Sequence, residues 1–183
     1  MSSVILASQS PRRIELLKFI LPEFEIMPAD IDETAPDAVP ATQVPEFLAV
    51  KKAFHIASKN PDSIVIGCDT GVFIDGKMLG KPKNDDDARR MLSMLSGRTH
   101  KVITGCAICN KGRSTSFSEV TEVTFCKMTP DEINRYIKTG EPSDKAGAYG
   151  IQGYGSVFIK GICGDYFNVM GLPVSKLYHL LFL

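Results

Sequence analysis

The sequence predicts a fold of the mixed α/β (α+β) class, in which strands and helices are interspersed. It predicts a single domain of 183 residues. Short apolar runs, of which residues 63–68 are the clearest, have the length and composition of buried strands. Segments with apolar residues at helical spacing alternate with these runs. The Asp-Gly pair at 75–76, flanked by apolar residues, predicts a tight hairpin. Because hairpins occur together with helical crossovers, we do not expect a purely parallel sheet.

The composition argues against several classes of function. Hydrophobic residues make up 44% of the chain, which is enough for a sizeable core, and 21 basic residues balance 21 acidic ones. A neutral chain has no general attraction for nucleic acid or for a membrane surface. The sequence opens without a signal-peptide pattern, and its apolar tracts fall short of the about 18 residues of a membrane helix. We therefore expect a cytoplasmic protein whose anion sites are local clusters.

The first segment combines a strand, a tight loop and a helix. Residues 4–7 predict the strand, and residues 11–20 carry apolar side chains at helical spacing. Ser10 is a suitable N-cap, and the proline after it suits the first helical position. Arg12 and Arg13 follow in the first turn. Backbone N–H groups, hydroxyls and guanidinium groups would converge there on an anion, although an ordinary turn with two solvated arginines explains the pattern equally well.

An acidic loop and a lysine-bearing helix come next. Residues 28–41 contain prolines, alanines and acidic residues that include Glu33, which predicts a loop. This loop is either a solvated linker or, if it lies near a phosphate site, a holder of a divalent cation. Residues 42–59 predict a helix on which either Lys51 or Lys52 points inward.

The clearest strand is predicted to end at Asp69. Carboxylates at the carboxyl ends of buried strands are where α/β proteins place catalytic groups. On fold grounds alone, a polar strand end that caps a turn is the simpler interpretation. The hairpin predicted over residues 72–79 leads to Lys81, which places this ammonium group near the carboxylate of Asp69.

The remaining elements alternate in the same way. We predict a helix that begins after Asn84 and ends at Gly97, and we attribute the three aspartates of its first turn to the helix dipole rather than to a metal site. The other predicted elements are strands at 24–27, 100–109, 114–126, 157–160 and 166–169, a helix at 129–140 and a closing helix at 173–183. The apolar end of the closing helix packs into the core or, as the less favoured alternative, contacts a second subunit.

A glycine-rich stretch at residues 141–155 is the second unusual feature of the chain. It also carries Asp144, Lys145, Gln152 and two tyrosines. Glycine allows a backbone to approach a ligand closely. A surface loop without function is the alternative, but the polar and aromatic residues favour a binding loop.

The cysteines indicate thiols rather than disulfides. Five cysteines, an odd number, are scattered through apolar sequence, which favours reduced and buried thiols. Cys106 and Cys109 have the spacing of a metal-binding or redox pair. They lie on a predicted strand, however, where residues three apart face opposite sides of the sheet. We therefore do not expect the two sulfurs to share a metal ion.

Several motifs together resemble the Maf family of nucleoside triphosphate pyrophosphatases. They are LASQSPRRIELL at 6–17, GCDT at 67–70, GKP at 80–82, LSGRTH at 95–100 and SDKAGAYGIQG at 143–153. Their order and spacing match those of the family over essentially the whole chain. The resemblance implies a long twisted mixed sheet with helices on both sides, two lobes about a cleft, and a relation to the fold of inosine triphosphate pyrophosphatases.

The resemblance also implies a reaction, the hydrolysis of a nucleoside triphosphate to a monophosphate and pyrophosphate with Mg²⁺ or Mn²⁺. The bond that is broken, at the α-phosphorus, is taken from the family alone. Glu33 and Asp69 suit the metal, and Asp69 also suits the general base that deprotonates the attacking water. The residues matched to phosphate binding are Ser8, Arg13, Lys52 and Lys81, and those matched to the binding loop are Asp144 and Lys145.

One branch of the family prefers dTTP and UTP, and it is distinguished by an Arg, by a Thr after the catalytic Asp and by a Gln in the glycine-rich loop. Arg12, Thr70 and Gln152 stand at the matching positions. An amide offers both a donor and an acceptor, so Gln152 can meet the ring N–H and the neighbouring carbonyl of uracil or thymine together. The resemblance therefore implies that dTTP and UTP are preferred over CTP and purine nucleotides, with a house-cleaning role toward modified nucleotides.

Two other functions stay open at this point. One is a nucleotide-binding regulator of septum formation that has the pocket but little turnover. The other is a house-cleaning pyrophosphatase directed at purines. The expected partner in each case is a nucleotide rather than nucleic acid or a membrane, and a homodimer stays open as well.

Overall fold

The computed structural model describes residues 3–182, in which strands and helices alternate along most of the chain. The strands are β1 (Val4–Leu6), β2 (Glu25–Ile26), β3 (Ile64–Ile74), β4 (Lys77–Leu79), β5 (Thr99–Asn110), β6 (Arg113–Phe125) and β7 (Ile159–Cys163). The helices are α1 (Pro11–Leu17), α2 (Val44–Ala57), α3 (Asp85–Leu95), α4 (Pro130–Ile137), α5 (Tyr166–Met170) and α6 (Val174–Phe182). Short 3-10 turns cover Ala41–Gln43, Glu141–Asp144, Ala146–Ala148 and Gly153–Phe158.

The strands of the described residues form a seven-stranded sheet in the order β2-β1-β3-β5-β6-β7, and β4 pairs with β3. β1 pairs in parallel with both β2 and β3. β4 pairs antiparallel with β3, and β7 pairs antiparallel with β6. Parallel pairs require crossover connections, whereas antiparallel pairs can be joined by tight turns. The mixed α/β class predicted from the sequence is confirmed.

The chain divides into two compact units. The first unit contains the residues up to Thr70, Thr104–Glu119 and the residues from Gly171 onward, and the second contains Gly71–Ile103 and Val120–Met170. The boundaries fall inside β3, β5 and β6. We refer to them below as the first and the second unit.

In the first unit, helix α2 packs closely on strand β3. A Cβ atom added to Gly67 would lie 2.8 Å from the backbone N of Ala53 and would also collide with the carbonyl oxygen of Ala49. Only a residue without a side chain permits this approach. Because Lys52 precedes Ala53 on α2, and Asp69 lies two residues beyond Gly67 on the same face of β3, the close packing brings these two side chains together.

The core of the second unit is larger and contains aromatic residues. Phe125 and Tyr149 pack edge to face with ring centroids 4.7 Å apart, and His100 lies edge-on against both rings. Leu92 and Leu95 of α3 are fully buried in the same core. This core supports the glycine-rich stretch, since Ala148 and Tyr149 belong to it.

Two tight turns, of which the one at residues 75–76 was predicted, have the backbone of a hairpin. Asp75 and Gly76 join β3 to β4 with φ angles of 51° and 72°. Lys111 and Gly112 join β5 to β6 with φ angles of 47° and 76°. Positive φ at both central residues is the signature of a type I′ turn.

Two predicted helix starts are confirmed by their caps. The Asn84 side chain accepts a hydrogen bond from the backbone N–H of Asp87 at the start of α3. At α4, Thr129 and Glu132 form a reciprocal capping box. Asp87 also forms an ion pair with Arg90 at 2.7 Å, so this aspartate has a local structural partner.

Strand β3 is longer than the sequence indicated. The strand predicted over residues 63–68 was expected to end at Asp69, but β3 continues without interruption from Ile64 to Ile74. Asp69 therefore lies in the middle of a strand, and the expectation of a strand end is wrong. Gly71 does not end the strand; it leaves room for the side chain of Met78, whose terminal methyl would lie 2.8 Å from an added Cβ atom.

The strand predicted at residues 166–169 is wrong. These residues form helix α5, because the Asp165 carboxylate accepts a hydrogen bond from the backbone N–H of Phe167 at 2.8 Å and so caps a helical turn. Asn168 is fully buried, and its amide donates to the carbonyl of Val102 at 3.1 Å. Asp165 is the local signal that outweighs the strand propensity of the aromatic and β-branched residues.

The other predictions near the C-terminus are partly confirmed. Residues 157–160 are a strand only from Ile159 onward, because a 3-10 turn occupies the preceding residues. Helix α6 extends to Phe182 and buries Leu177, as expected of a core-packing helix. Leu183, the last residue of the predicted helix, lies outside the described residues.

The cysteines are only partly buried. Cys68, Cys106 and Cys109 are buried thiols, whereas Cys126 and Cys163 are exposed. The expectation of buried thiols is therefore wrong for the last two, which lie at the ends of β6 and β7. Among the described residues, no helix is both long and apolar enough to cross a bilayer.

Candidate active site

The centre of the candidate site is Asp69, in the middle of strand β3. Asp69 is buried, with 8% of its surface exposed to solvent. Lys52 of α2 donates a hydrogen bond to Asp69 Oδ1 at 2.7 Å, and the same Nζ atom lies 2.9 Å from Glu33 Oε1. The lysine side chain is 10% exposed, whereas that of Glu33 is 59% exposed. One buried ammonium group thus links a buried carboxylate to a carboxylate at the surface.

This arrangement settles which lysine of α2 points inward. Lys52 is buried, whereas the ammonium group of Lys51 donates to the backbone carbonyl of Asp32 in the acidic loop. Asp32 also accepts hydrogen bonds from the backbone and the hydroxyl of Thr34. Both lysines therefore hold the acidic loop, and Lys52 holds it next to Asp69.

Electrostatics make Asp69 a carboxylate of raised basicity. Burial raises the pKa of Asp69, and the charges of Lys52 and Arg13 oppose this shift without cancelling it. A carboxylate with a raised pKa is a stronger base than an ordinary aspartate. Asp69 is therefore suited to take a proton from a water molecule.

Arg13 is oriented by three contacts. Its Nε donates to the carbonyl of Gly171 at 2.9 Å, its Nη2 to the hydroxyl of Thr70 at 2.9 Å, and its Nη1 to the hydroxyl of Ser8 at 3.3 Å. The Thr70 hydroxyl also lies 2.9 Å from the hydroxyl of Thr104. A guanidinium has five N–H donors, so further donors remain on the two terminal nitrogens for an anion.

Ser8 is arranged to donate a hydrogen bond. Its hydroxyl oxygen accepts from the backbone N–H of Ser10 at 3.2 Å and from Arg13 at 3.3 Å. The proton of the hydroxyl is then directed away from both donors and suits an anionic oxygen. Ser10 itself occupies the N-cap position of α1, but its side chain makes no capping hydrogen bond. Arg12, in the first turn of α1, is half-buried.

The two cations contact neighbouring residues of β3, Lys52 at Asp69 and Arg13 at Thr70. Side chains of neighbouring strand residues alternate across the sheet. The structure therefore brings Ser8, Arg13 and Thr70 together in one cluster and Glu33, Lys52 and Asp69 in an adjacent one.

The cluster of Glu33, Lys52 and Asp69 has carboxylate oxygens that suit a hard divalent cation such as Mg²⁺. In residues 3–182 no group of three or more His, Cys, Asp or Glu side chains could hold a metal ion by itself. Glu33 and Asp69 nevertheless provide two hard oxygen donors that face the same ammonium group. Mg²⁺ typically uses one or two carboxylates and completes its shell with phosphate oxygens and water. The donor set fits a metal of that type.

The second unit contains the other residues predicted for the site. Lys81 is exposed and follows β4. In the glycine-rich stretch, the ammonium group of Lys145 donates to the carbonyl of Glu141 at 2.8 Å and to the carboxylate of Asp144 at 2.7 Å. Lys145 and Asp144 thus support the loop itself. Gln152 is exposed, and the structure shows no hydrogen bond from its amide to any described residue.

Two residues that hold this stretch, Glu141 within it and Tyr136 on α4, were not identified from the sequence. The carboxylate of Glu141 accepts hydrogen bonds from the Tyr136 hydroxyl at 2.8 Å, from Tyr154 N at 2.8 Å and from Gly155 N at 3.0 Å. Tyr136 also accepts from Gly150 N at 3.1 Å. The available signal was a carboxylate at the start of a glycine-rich segment, where backbone N–H groups without regular partners need acceptors.

Comparison of the sequence with known proteins gives consistent matches. The family model described as Maf-like protein matches residues 3–182. A dTTP/UTP pyrophosphatase of Bacillus cereus strain G9842 is 48% identical over 177 residues, which cover 97% of this chain and 93% of that protein. A dTTP/UTP pyrophosphatase of Bacillus pumilus strain SAFR-032 is 49% identical over 176 residues, with 96% and 93% covered.

Comparison with solved structures supports the fold. A HAM1 protein from Coxiella burnetii matches with a TM-score of 0.59 and 18% identity, covering 99% of this chain and 98% of the other. The Staphylococcus aureus Ham1 protein matches with a TM-score of 0.54 and 15% identity, covering 86% and 80%. The expected relation to the inosine triphosphate pyrophosphatase fold is confirmed at the level of the fold.

Proposed function

Because this chain belongs to the Maf family, we propose that it is a pyrophosphatase that hydrolyses dTTP and UTP to the nucleoside monophosphate and pyrophosphate. The observation that carries this proposal is the buried carboxylate of Asp69, held at 2.7 Å by Lys52 and followed on β3 by a residue that orients Arg13. This constellation supplies a base for water and a donor group for phosphate. It supports an enzyme rather than a regulator that only binds nucleotide.

The reaction follows from the roles of these groups. Asp69 accepts a proton from water, whose oxygen forms a bond to phosphorus as the bond to the pyrophosphate oxygen breaks. Attack at the α-phosphorus is assigned from the family. Ser8 and Arg13 donate hydrogen bonds to phosphate oxygens, and Lys81 contributes a positive charge. Lys52 keeps Asp69 in place and limits the rise of its pKa.

We assign the metal ligands to Glu33 and Asp69. A bound Mg²⁺ or Mn²⁺ would neutralise phosphate charge. The assignment requires that Lys52, which now lies between the two carboxylates, shift toward the phosphates when the metal binds. Lys52 would in this way serve both predicted roles, as a partner of Asp69 and as a phosphate ligand.

We assign base recognition to Gln152, with Arg12 and Thr70 in supporting roles. The amide of Gln152 pairs with the ring N–H and the carbonyl of uracil or thymine, and cytosine presents the reverse pattern. A mismatched buried pair costs about 1–3 kcal/mol, which corresponds to a preference of about 5- to 150-fold. Apart from this role, the Thr70 hydroxyl accepts a hydrogen bond from Arg13 and so orients a phosphate-binding side chain.

We also propose that the enzyme acts in the cytoplasm in a house-cleaning role and that it forms a homodimer. The thiols of Cys68 and Cys106, 3.4 Å apart, suit a reducing compartment. Tyr178, Leu180 and Phe182 of α6 are each about half exposed and offer an apolar surface for a second subunit.

The test is pyrophosphate release by the purified protein from dTTP, UTP, CTP, GTP and a deaminated purine triphosphate, each with Mg²⁺, with Mn²⁺ and with a chelator. We expect dTTP and UTP to react about tenfold faster than CTP at equal low concentration, and the chelator to abolish the reaction. Absence of pyrophosphate release would favour the regulator. Faster release from a purine nucleotide would favour the purine-directed enzyme.

A further inference from the structure

A tyrosine and a glutamate hold the segment that carries Gln152. Glu141 Oε1 accepts a hydrogen bond from the hydroxyl of Tyr136 at 2.8 Å and from Gly155 N at 3.0 Å, and its Oε2 accepts from Tyr154 N at 2.8 Å. One carboxylate therefore holds the backbone N–H groups of Tyr154 and Gly155, which lie two and three residues after Gln152.

The same pair also holds the segment on the other side of Gln152. The Tyr136 hydroxyl donates to Glu141 and accepts from Gly150 N at 3.1 Å. A chain of hydrogen bonds therefore runs from the backbone before Gln152, through the tyrosine and the glutamate, to the backbone after it. Members of such a chain polarise one another, so the loss of one bond weakens the others.

The segment lies so close to this pair that only glycine fits. Gly153 has a φ of 72°, and a Cβ atom added there would collide with Oε2 of Glu141. A Cβ atom added to Gly155 would lie 2.6 Å from the hydroxyl oxygen of Tyr136. The glycines of this stretch thus let the backbone rest directly on the Tyr136–Glu141 pair.

The pair is itself held by the core of the second unit. Tyr136 of α4 is 3% exposed, and its ring packs against Phe158 with centroids 5.4 Å apart. Burial raises the pKa of the Tyr136 hydroxyl well above its usual range, so this group is a neutral donor at all working pH values. The backbone carbonyl of Glu141 is held by Lys145 at 2.8 Å. Both members of the pair are therefore held by contacts within the second unit.

In contrast, the side chain of Gln152 depends on its backbone for its position. It is exposed, and none of the described residues holds its amide by a hydrogen bond. An amide that recognises a base must be placed within a fraction of an ångström to match the base edge. The backbone on both sides of Gln152 is the part of the loop that can supply this precision.

We propose that Tyr136 and Glu141 are positioning residues for base specificity, which fix the segment 150–155 so that the amide of Gln152 meets the base edge. This inference rests on the proposed function, in which Gln152 recognises uracil or thymine. It assigns to the pair an effect on the choice of base that is separate from the chemical step at Asp69.

The test compares three variants of the full-length protein with the wild type. Glu141→Gln keeps the size of the side chain but turns an amide N–H₂ group toward a backbone donor or the tyrosine. Tyr136→Phe keeps the ring in the core and removes the hydroxyl that links both flanks. Glu132→Gln is the matched control on α4, because Gln serves equally well in the capping box with Thr129.

The readout is kcat and KM for UTP and for CTP. We expect Glu141→Gln and Tyr136→Phe each to reduce the ratio of kcat/KM for UTP over CTP about fivefold or more, mainly through a higher KM for UTP. The kcat for UTP should stay within about threefold of the wild type, because these residues do not act on the reacting atoms. The control should leave the ratio unchanged.

Combination with Gln152→Ala separates positioning from a general structural role. If the pair acts through Gln152, Glu141→Gln should not change the UTP/CTP ratio further once Gln152 is alanine. A further loss of the same size in that background would overturn the proposal. If Glu141→Gln does not fold, Tyr136→Phe provides the same test, with the melting temperature as the check of folding.

The outcomes distinguish this inference from the proposed function. If the wild type prefers UTP and Gln152→Ala loses that preference, but both positioning variants keep it, the positioning role is wrong and the proposed function stands. If the wild type shows no preference for UTP over CTP, the proposed function fails in its choice of base, and the positioning role fails with it. A reduced ratio in both variants with an unchanged control supports both.

Discussion

The two units hold their candidate site residues in different ways. In the first unit, charged side chains on regular elements contact one another directly, as Lys52 of α2 contacts Asp69 of β3 at 2.7 Å. In the second unit, one carboxylate and one hydroxyl hold the backbone of an irregular segment and leave the side chain of Gln152 exposed. Proton transfer requires charges that are fixed in advance, whereas recognition of a base edge requires a backbone that can approach it. The comparison predicts that loss of Asp69 or Arg13 in the first unit affects rate, whereas loss of the groups that hold the segment around Gln152 in the second unit affects selectivity.

The largest effect should follow from loss of the base. Asp69→Asn keeps the size of the side chain and a hydrogen-bond acceptor for Lys52 but removes the proton acceptor. We expect turnover to fall by about 10²–10⁴-fold for every accepted nucleotide, with an unchanged UTP/CTP ratio. Steady-state pyrophosphate release measures both, and circular dichroism checks the fold. Near-normal turnover in a folded variant would remove Asp69 from the mechanism.

A smaller effect on rate is expected for Arg13→Ala. The substitution removes the donors that contact Thr70, Ser8 and the carbonyl of Gly171, and with them a phosphate contact. We expect kcat/KM to fall by on the order of 10²-fold, as for a lost charge-assisted contact, and equally for UTP and CTP. Arg90→Ala is the control, because this exposed arginine pairs with Asp87 on α3. A change in base preference in Arg13→Ala would contradict the division between the units.

The sequence predicted the regular elements of the site better than its irregular part. The hairpin at 75–76 and the cap at Asn84 follow from local rules that involve neighbouring residues, and these predictions are confirmed. Local rules also supplied the strand that carries Asp69, but not its true length. Gly71 has the appearance of a strand end, and only the packing of Met78 shows why a glycine lies inside β3.

The contacts between distant residues could not be predicted in the same way. The choice between Lys51 and Lys52 depends on the approach of α2 to Gly67, which is a tertiary contact. The role of Glu141 depends on three donors that lie 5 to 14 residues away. Neither residue has a sequence pattern that specifies such partners. The family resemblance supplied residue roles, but it did not indicate which residues support the others.

The buried His100 of the second unit predicts a pH dependence of the protein's stability. Burial lowers the pKa of His100 to about 4, whereas a histidine in an unfolded chain has a pKa of about 6.5. The unfolded state therefore binds the proton first, and the stabilising contribution that is complete above about pH 6.5 is lost as the pH falls toward about 4. We expect a loss of about 2–4 kcal/mol over this range. Urea unfolding of the wild type at several pH values measures it.

His100→Gln should flatten this pH dependence, because glutamine does not titrate and can still bond the hydroxyl of Tyr149, which lies 2.7 Å from the histidine. His179→Gln, on the exposed side of α6, serves as the control. An equally steep loss of stability in His100→Gln would mean that other groups cause it. The UTP/CTP ratio at pH 7 should be unchanged in both variants.

The smallest effect is expected for the buried thiols of Cys106 and Cys109 in the first unit, which take part in no ion pair with a described residue. Cys106 lies 3.4 Å from Cys68, next to the pair of threonines that orients Arg13, whereas Cys109 packs with Ile5 and Ala53 in the apolar core. The two sulfurs therefore have separate surroundings, which agrees with opposite faces of β5. We therefore expect them not to share a metal ion.

The double variant Cys106→Ala/Cys109→Ala should keep turnover within about threefold and should lose about 1–3 kcal/mol of stability from the two small cavities. The purified wild type should contain zinc well below one equivalent, as measured by elemental analysis. Cys126→Ala, which removes an exposed thiol, is the control for both measurements. Stoichiometric zinc, or a large loss of turnover in a folded double variant, would show that uncharged groups also take part in the chemistry of the first unit. The functional contrast between the two units would then no longer follow from charge alone.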